Sequence, residues 1–370
     1  MSIIDQLIDK GSKQRPLLER LRNSVKPVIL YGAGVYAYVL SRYLAANGIS
    51  ISAVMVDAAY KTSERLLGLP VMTTEQATGT FVDYQFVVGA ANYPAATDRL
   101  AGLGADCIAA VDVPDFLNIP NAFMDGDFVR AHRDSFDEAY RLFGDPLSRE
   151  TFIAAINCKV NEDPSFIRPF VRPDHLYFST LAFPLSDKET LLDVGGFDGD
   201  SIRDFVGIVK GKYRRIISLE PFGESFTRLN ATVQSLGLSN VVALKVGAWD
   251  RKTSLSFETK DMNIDNRIAQ TGTQHIEVDT IDNILSGLGC GVTLIKMDIN
   301  GAEFNALSGA AETMQRWRPK IAVKMHVKED FYRLPLLLKK MNPGIRLYLR
   351  QRNFMSMMLV LYGVFDAADS

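Results

Sequence analysis

A short apolar run, Leu191, Leu192, Asp193 and Val194, opens into Gly195, Gly196, Phe197, Asp198, Gly199, Asp200 and Ser201, and no other stretch constrains the chain as strongly. The run has strand length, and Ile202, Phe205 and Val206 beyond it keep helical spacing, so the segment reads as strand, tight turn and helix. Gly195 and Gly199 remove side chains where a ligand must lie against backbone, and the free N–H groups of the following helix face the same place. The unit belongs to an open α/β sheet that takes a nucleotide-like ligand at the carboxyl ends of its strands.

The spacing Asp-x-Gly-x-x-x-Gly is not the dinucleotide fingerprint, because Asp193 ends the strand with a negative charge that repels a pyrophosphate. A cationic ligand suits it better. A second apolar run, 215–220, ends in Glu220 about twenty residues past Gly199, the separation at which a strand-end acid meets a ribose. S-adenosylmethionine has the matching groups, an α-ammonium for the Asp193 region and ribose hydroxyls for Glu220. A third run, 241–246, ends at Gly247, Ala248, Trp249 and Asp250 on the same rim. There Ala248 and Asp250 are expected to wall off the adenine, with Asp250 accepting from its amino group, while Trp249 is assigned to core packing.

These motifs carry a family resemblance. Residues 192–201, the run Leu219, Glu220, Pro221, Phe222, and the stretch 293–303 together resemble the FkbM-type methyltransferases. The third stretch is similar to their Lys-x-Asp-x-Glu-Gly-x-Glu signature with one change, Asn300 in place of a glutamate. The resemblance runs from about residue 177 onward. It implies a class I methyltransferase-like sheet ending in an antiparallel hairpin, for which 345–351 and 357–362 are the candidate strands, and S-adenosylmethionine as cofactor. It also implies methyl transfer, most simply to an oxygen, on a sugar or glycosylated small molecule. Lys324 is a second departure, standing where a glutamate often follows the same apolar strand in that family.

Within 293–303, Leu294, Lys296 and Asp298 share one face of a strand by period two, with Asp298 at the ligand-bearing end. Lys296 needs a partner inside an apolar strand, and Asp298 is the expected one. Methyl transfer needs an oriented nucleophile and a base for its proton. Asp298, His326 at the end of the neighbouring run 320–326, and Lys296 are therefore the catalytic candidates, against the plainer reading of a Lys–Asp pair that only holds the strand end. Asn300 to Glu303 reads first as a helix capping box. Because Asn300 and Lys324 change the charge near the acceptor, an alternative function is a cofactor-binding but catalytically altered sensor or scaffold.

At 370 residues the chain suggests more than one core. Residues 26–37 form a strand feeding a Gly-x-Gly-x-x-Ala turn, and a second strand ends at Asp57. With runs at 85–90 and 105–111 they make a Rossmann-like domain over 1–115. Its Gly32, Gly34 and Asp57 offer a pocket for a second nucleotide or nucleotide-sugar ligand, or keep the turn for packing only. A nicotinamide dehydrogenase is disfavoured, since no hydride-transfer site is recognisable. A helical linker is assigned to 116–176 and the methyltransferase domain to 177–370, two doubly wound domains in all. The net charge of -2 offers no general attraction to nucleic acid, the N-terminus lacks a signal-peptide pattern, and no apolar run reaches membrane-spanning length, so the expectation is a cytoplasmic protein with no membrane or nucleic-acid partner. Cys107, Cys158, Cys290, His132 and His175 show no metal-ligand spacing, and no metal is assigned.

Overall fold

The computed structural model describes residues 2–66, 68–90, 92–109, 111, 123–172, 174–180, 182–258, 267–268 and 274–365. The first sheet uses β1 (Val28–Tyr31), β2 (Ala53–Val56), β3 (Arg65–Leu66), β4 (Leu69–Thr73), β5 (Gln85–Val88) and β6 (Cys107–Ala109) in the order β3-β4-β2-β1-β5-β6. Every pairing is parallel except the short β3–β4 hairpin. All residues of β1, β2 and β5 are buried, as expected of strands covered by helices on both faces.

The second sheet begins with β7 (Thr190–Val194), β8 (Arg215–Leu219) and β9 (Val241–Leu244). A small sheet of β10 (Gly247–Ala248), β11 (Thr253–Glu258), β12 (Arg267–Ile268) and β13 (Gln274–Asp279) follows before the chain returns as β14 (Leu294–Met297), β15 (Lys320–Lys324), β16 (Arg346–Gln351) and β17 (Leu359–Val364). The large sheet has the order β16-β17-β15-β14-β7-β8-β9, and β17 runs antiparallel to both neighbours. The closing hairpin read from the sequence is therefore present. Strand order reverses between β7 and β14, which opens a crevice at their carboxyl ends.

Period two divides this sheet into two unlike faces. Leu192, Val194, Ile295, Met297, Ile321 and Val323 enter one apolar core. On the other face Leu191, Leu294 and Ala322 meet Tyr177 and Phe178, and the alternation that buries these residues carries Asp193, Lys296 and Lys324 to the same side near the strand ends.

The helices after residue 123 pack against the second sheet. Phe136, Phe152 and Ile156 share a core with Ile321 and Leu334, and isolated parallel bridges Phe143–Leu347 and Val171–Gln351 attach this layer to β16. Helix Pro146–Asn161 is buried on most of its surface, so its sequence lacks the one-sided stripe of a surface helix. Residues 2–10 join the same layer: Ile3 N donates to Asp137 at 2.6 Å, and Ile8 N donates to Asn157 at 2.8 Å. Among the described residues, no helix is long and apolar enough to cross a membrane.

Candidate active site

β7 delivers Asp193 to the crevice fully buried, with no exposed surface. Its carboxylate lies 2.9 Å from Lys296 Nζ and accepts from Ser218 Oγ at 2.9 Å and Ser201 Oγ at 3.2 Å. The parallel register places Lys296 directly opposite Asp193, so Lys296 pairs across the sheet and not along its own strand with Asp298, the partner expected from sequence. Lys296 Nζ also donates to Gly195 O at 2.6 Å. Burial alone would lower the lysine pKa, but the surrounding carboxylates, Asp193 foremost, outweigh it and hold the ammonium above its usual range. Asp193 is thus sealed beneath the turn, its carboxylate held by Lys296, Ser218 and Ser201.

Gly195 has φ +85°, and a Cβ there would stand 2.1 Å from Asp298 O. The glycine is required by the close approach of the backbone just past β14. At Gly199, φ is +86° and a Cβ would meet Thr232 Cγ2 at 2.8 Å.

Glu220, just past β8, is only 4% exposed. Its two oxygens accept from Phe197 N at 2.8 Å and Phe222 N at 2.9 Å, joining the β7 turn to the β8 turn. Burial dominates and pushes its pKa up to about 7, partly opposed by those two N–H donors. Each oxygen keeps a lone pair beyond its backbone bond. Ala248 is buried in β10, and Asp250 Oδ2 accepts from Asn305 Nδ2 at 2.7 Å, which ties the β10 loop to helix Glu303–Ser308. Trp249 packs against Ile276 and Val278, while its Nε1 has no acceptor among the described residues.

Across the crevice, Asp298 collects donors. Tyr177 OH donates to Oδ2, Lys324 Nζ lies 3.3 Å from the same oxygen, and His326 Nε2 lies 3.1 Å from Oδ1, an ion-pair contact whose angle falls short of a hydrogen bond. His326 Nδ1 meets Glu303 Oε1 at 2.8 Å. Burial opposes the aspartate's charge, yet Lys324 and His326 overcome it and hold its carboxyl well below the usual range. Burial likewise opposes the imidazolium, yet Glu303 and Asp298 raise its pKa to about 9. Neither group is poised as a base near neutral pH: one is too weakly basic, the other already protonated.

Glu303 is fully buried and folds the preceding loop around itself, accepting from Ile299 N and Gly301 N, both at 2.8 Å. The capping box expected from Asn300 to Glu303 is replaced by this arrangement. The helix has no side-chain cap, and Asn300 sits at φ +55° in the left-handed region. Asp298, Glu303 and His326 bring ligand-type atoms within 4.8 Å of one another. As arranged, the imidazolium uses both ring nitrogens between the two carboxylates, so an ion bound there would have to displace a proton. Sequence reasoning missed Tyr177, which lies in a stretch without periodicity, and Asp330, whose buried carboxylate accepts from His326 N at 2.9 Å and Val327 N at 3.0 Å.

Comparison with known proteins places this geometry. Residues 193–355 match the family model described as methyltransferase FkbM domain. Among solved structures, the methyltransferase FkbM from Methylobacillus flagellatus superposes with a TM-score of 0.67 at 20% identity, covering 96% of this chain and 94% of that one, which shows a shared fold over both halves. An rRNA methylase from Streptococcus thermophilus gives a TM-score of 0.35 at 12% identity over 53% of this chain and 98% of its own. A SAM dependent methyltransferase from Aquifex aeolicus gives 0.31 at 19% identity over 54% and 97%. No curated protein matches the sequence.

Proposed function

We propose, from the premise that residues 193–355 are a methyltransferase FkbM domain, that the chain transfers the methyl group of S-adenosylmethionine to an oxygen of a small acceptor, a sugar or glycosylated molecule. The observation that carries this reading is the pair of carboxylates on either side of the β7–β14 crevice: Glu220 with unused lone pairs on one side and Asp298, 20% exposed, on the other. The donor set fits the cofactor's ribose, whose hydroxyls find an acceptor in Glu220, and the β10 loop at Ala248 and Asp250 borders the same rim. S-adenosylmethionine, when bound, supplies an electrophilic methyl on a sulfonium.

The chain's part is orientation. Lys296 locks Gly195 O and Asp193 together, so the turn cannot drift relative to β14. Asp298, kept ionised by Lys324 and His326, accepts a hydrogen bond from the acceptor hydroxyl and aims its oxygen at the methyl, with Tyr177 OH sharing the carboxylate. With S-adenosylmethionine bound, its sulfur would keep the electron pair of the S–C bond that breaks, and Asp298, a weak base in this setting, would take the hydroxyl proton only once the acceptor oxygen gains positive charge.

Titration calorimetry with S-adenosylhomocysteine, followed by methyl-transfer assays over a panel of free and glycosidic sugars, tests the proposal. Micromolar binding and transfer to at least one hydroxyl are expected. Absence of binding removes the cofactor assignment, and binding without transfer to any sugar removes the acceptor class.

A further inference from the structure

The sequence points to Gly32, Gly34 and Asp57 for a second ligand, and the structure draws attention elsewhere. A Cβ on Gly32 would stand 2.6 Å from Gly89 O, so this glycine serves strand packing. Asp57 is already engaged, accepting from Tyr31 OH at 2.8 Å and pairing with Arg99 at 2.7 Å. The space lies at the junction of the two halves, where a cleft of about 570 Å³ is enclosed by helix Gln14–Asn23, by Tyr93 just past the carboxyl end of β5, and by the turn at 162–168. The volume falls within the roughly 300–1,000 Å³ of small-molecule sites.

Its chemistry is specific. The walls are apolar, from Pro16, Leu17, Tyr93 and Pro164, and three cations and two acids line the edge. Asp163 pairs with Lys13 at 3.0 Å, while Glu162 accepts from Ser12 Oγ at 2.7 Å and keeps its charge, so the rim is left with a net positive charge. Arg20 and Arg168, both exposed, pair with no carboxylate among the described residues, and Arg20 rests only on Cys107 Sγ. Two guanidiniums left over beside an apolar slot suit a flat ring carrying a phosphate, since guanidinium and phosphate form charge-assisted paired bonds. We infer that this cleft is a nucleotide-binding site, distinct from the β7–β14 crevice, with the base between Tyr93 and the proline walls and the phosphates on Arg20 and Arg168.

The test is calorimetry on the full chain with UDP, ADP and GDP, with the corresponding nucleosides as controls, in the presence of saturating S-adenosylhomocysteine. At least one diphosphate is expected to bind, its nucleoside at least tenfold more weakly, and the double variant R20A/R168A at least tenfold more weakly than the natural chain. Both arginines are exposed, so the variant should fold, and unchanged affinity for S-adenosylhomocysteine checks that it has. The inference is overturned if no diphosphate binds, if binding survives the double substitution, or if S-adenosylhomocysteine competes the nucleotide away. None of these results bears on methyl transfer, so failure here is distinguishable from failure of the functional proposal.

Discussion

The chain uses strand, glycine turn and helix twice, at Gly32–Gly34 and at Gly195–Gly199, and the two copies are wired differently. Beneath the second turn lies a buried ion pair, Asp193–Lys296, with both side chains almost wholly enclosed. Around it stand Glu220, Asp298, Glu303, His326 and Asp330, all but Asp298 nearly inaccessible. Beside the first turn, the acid is Asp57, whose side chain is 28% exposed and whose partner Arg99 is 58% exposed. Gly32 and Gly195 both answer to close backbone approach. What separates the two turns is the charge buried beneath the second, because burial of ionised groups is costly unless neighbours compensate.

The largest expected effect follows from that contrast. Asp193→Ala leaves the Lys296 ammonium in a dry interior and frees Gly195 O and two serine hydroxyls from their arrangement, so a loss of about 3–5 kcal/mol is expected. Urea unfolding of the natural chain and the variant measures it. A loss below about 1 kcal/mol would show that water reaches Lys296, and the contrast between the two turns would collapse.

The next effect is on binding. Glu220→Gln is expected to weaken S-adenosylhomocysteine by about 1.5–3 kcal/mol, roughly ten- to a hundredfold, since a neutral amide replaces a charge-assisted acceptor. The sign of the pH dependence is fixed by the raised pKa. With a folded value of about 7 against 4.5 for the free group, the protonated acid stabilises the fold fully below pH 4.5, and that contribution is lost as pH rises through 7. Ribose recognition needs the ionised form, so cofactor affinity should climb over the range in which stability declines. Both slopes should flatten in Glu220→Gln. An affinity that is level from pH 5.5 to 8.5 in the natural chain would remove Glu220 from the ribose.

How far such features can be read from sequence depends on whether they are local. The unit 191–206 was legible because an apolar run, two glycines and a helical spacing sit within sixteen consecutive positions. The closing hairpin was legible for the same reason. Lys296 was correctly singled out as a lysine needing a partner, but its partner depends on strand register, and Asp193 becomes opposite only when β7 lies beside β14. Glu303 looked like a cap because three-residue spacing is what capping boxes have, and the left-handed turn at Asn300 that redirects its carboxylate has no local signature. Where helix Pro146–Asn161 packs was not legible, because the helix is enclosed on most sides, which erases the periodic stripe that would have shown it.

The smallest expected effect sharpens the comparison from the other side. Asp57→Ala removes an acid at the position that corresponds, in the first sheet, to Glu220 in the second, since each lies just past the second strand of its unit. If the two sites were equivalent, the substitution would disturb ligand binding and fold alike. Among the described residues, Asp57 has two side-chain partners, Tyr31 OH and Arg99, and the guanidinium remains in contact with solvent and with the Tyr31 ring, 5.6 Å from its centroid. An ion pair this exposed contributes about 0–1 kcal/mol, and Arg99 is rehydrated when it loses its partner. Burial and the hydrogen bond to Asp57 raise the Tyr31 pKa to about 12, so the direct spectroscopic readout is the tyrosine itself. Absorbance titration at alkaline pH should show one tyrosine moving to lower pKa in Asp57→Ala, with urea midpoints nearly unchanged. A stability loss of the size expected for Asp193→Ala would instead mean that the first turn, like the second, rests on a charge the fold cannot do without.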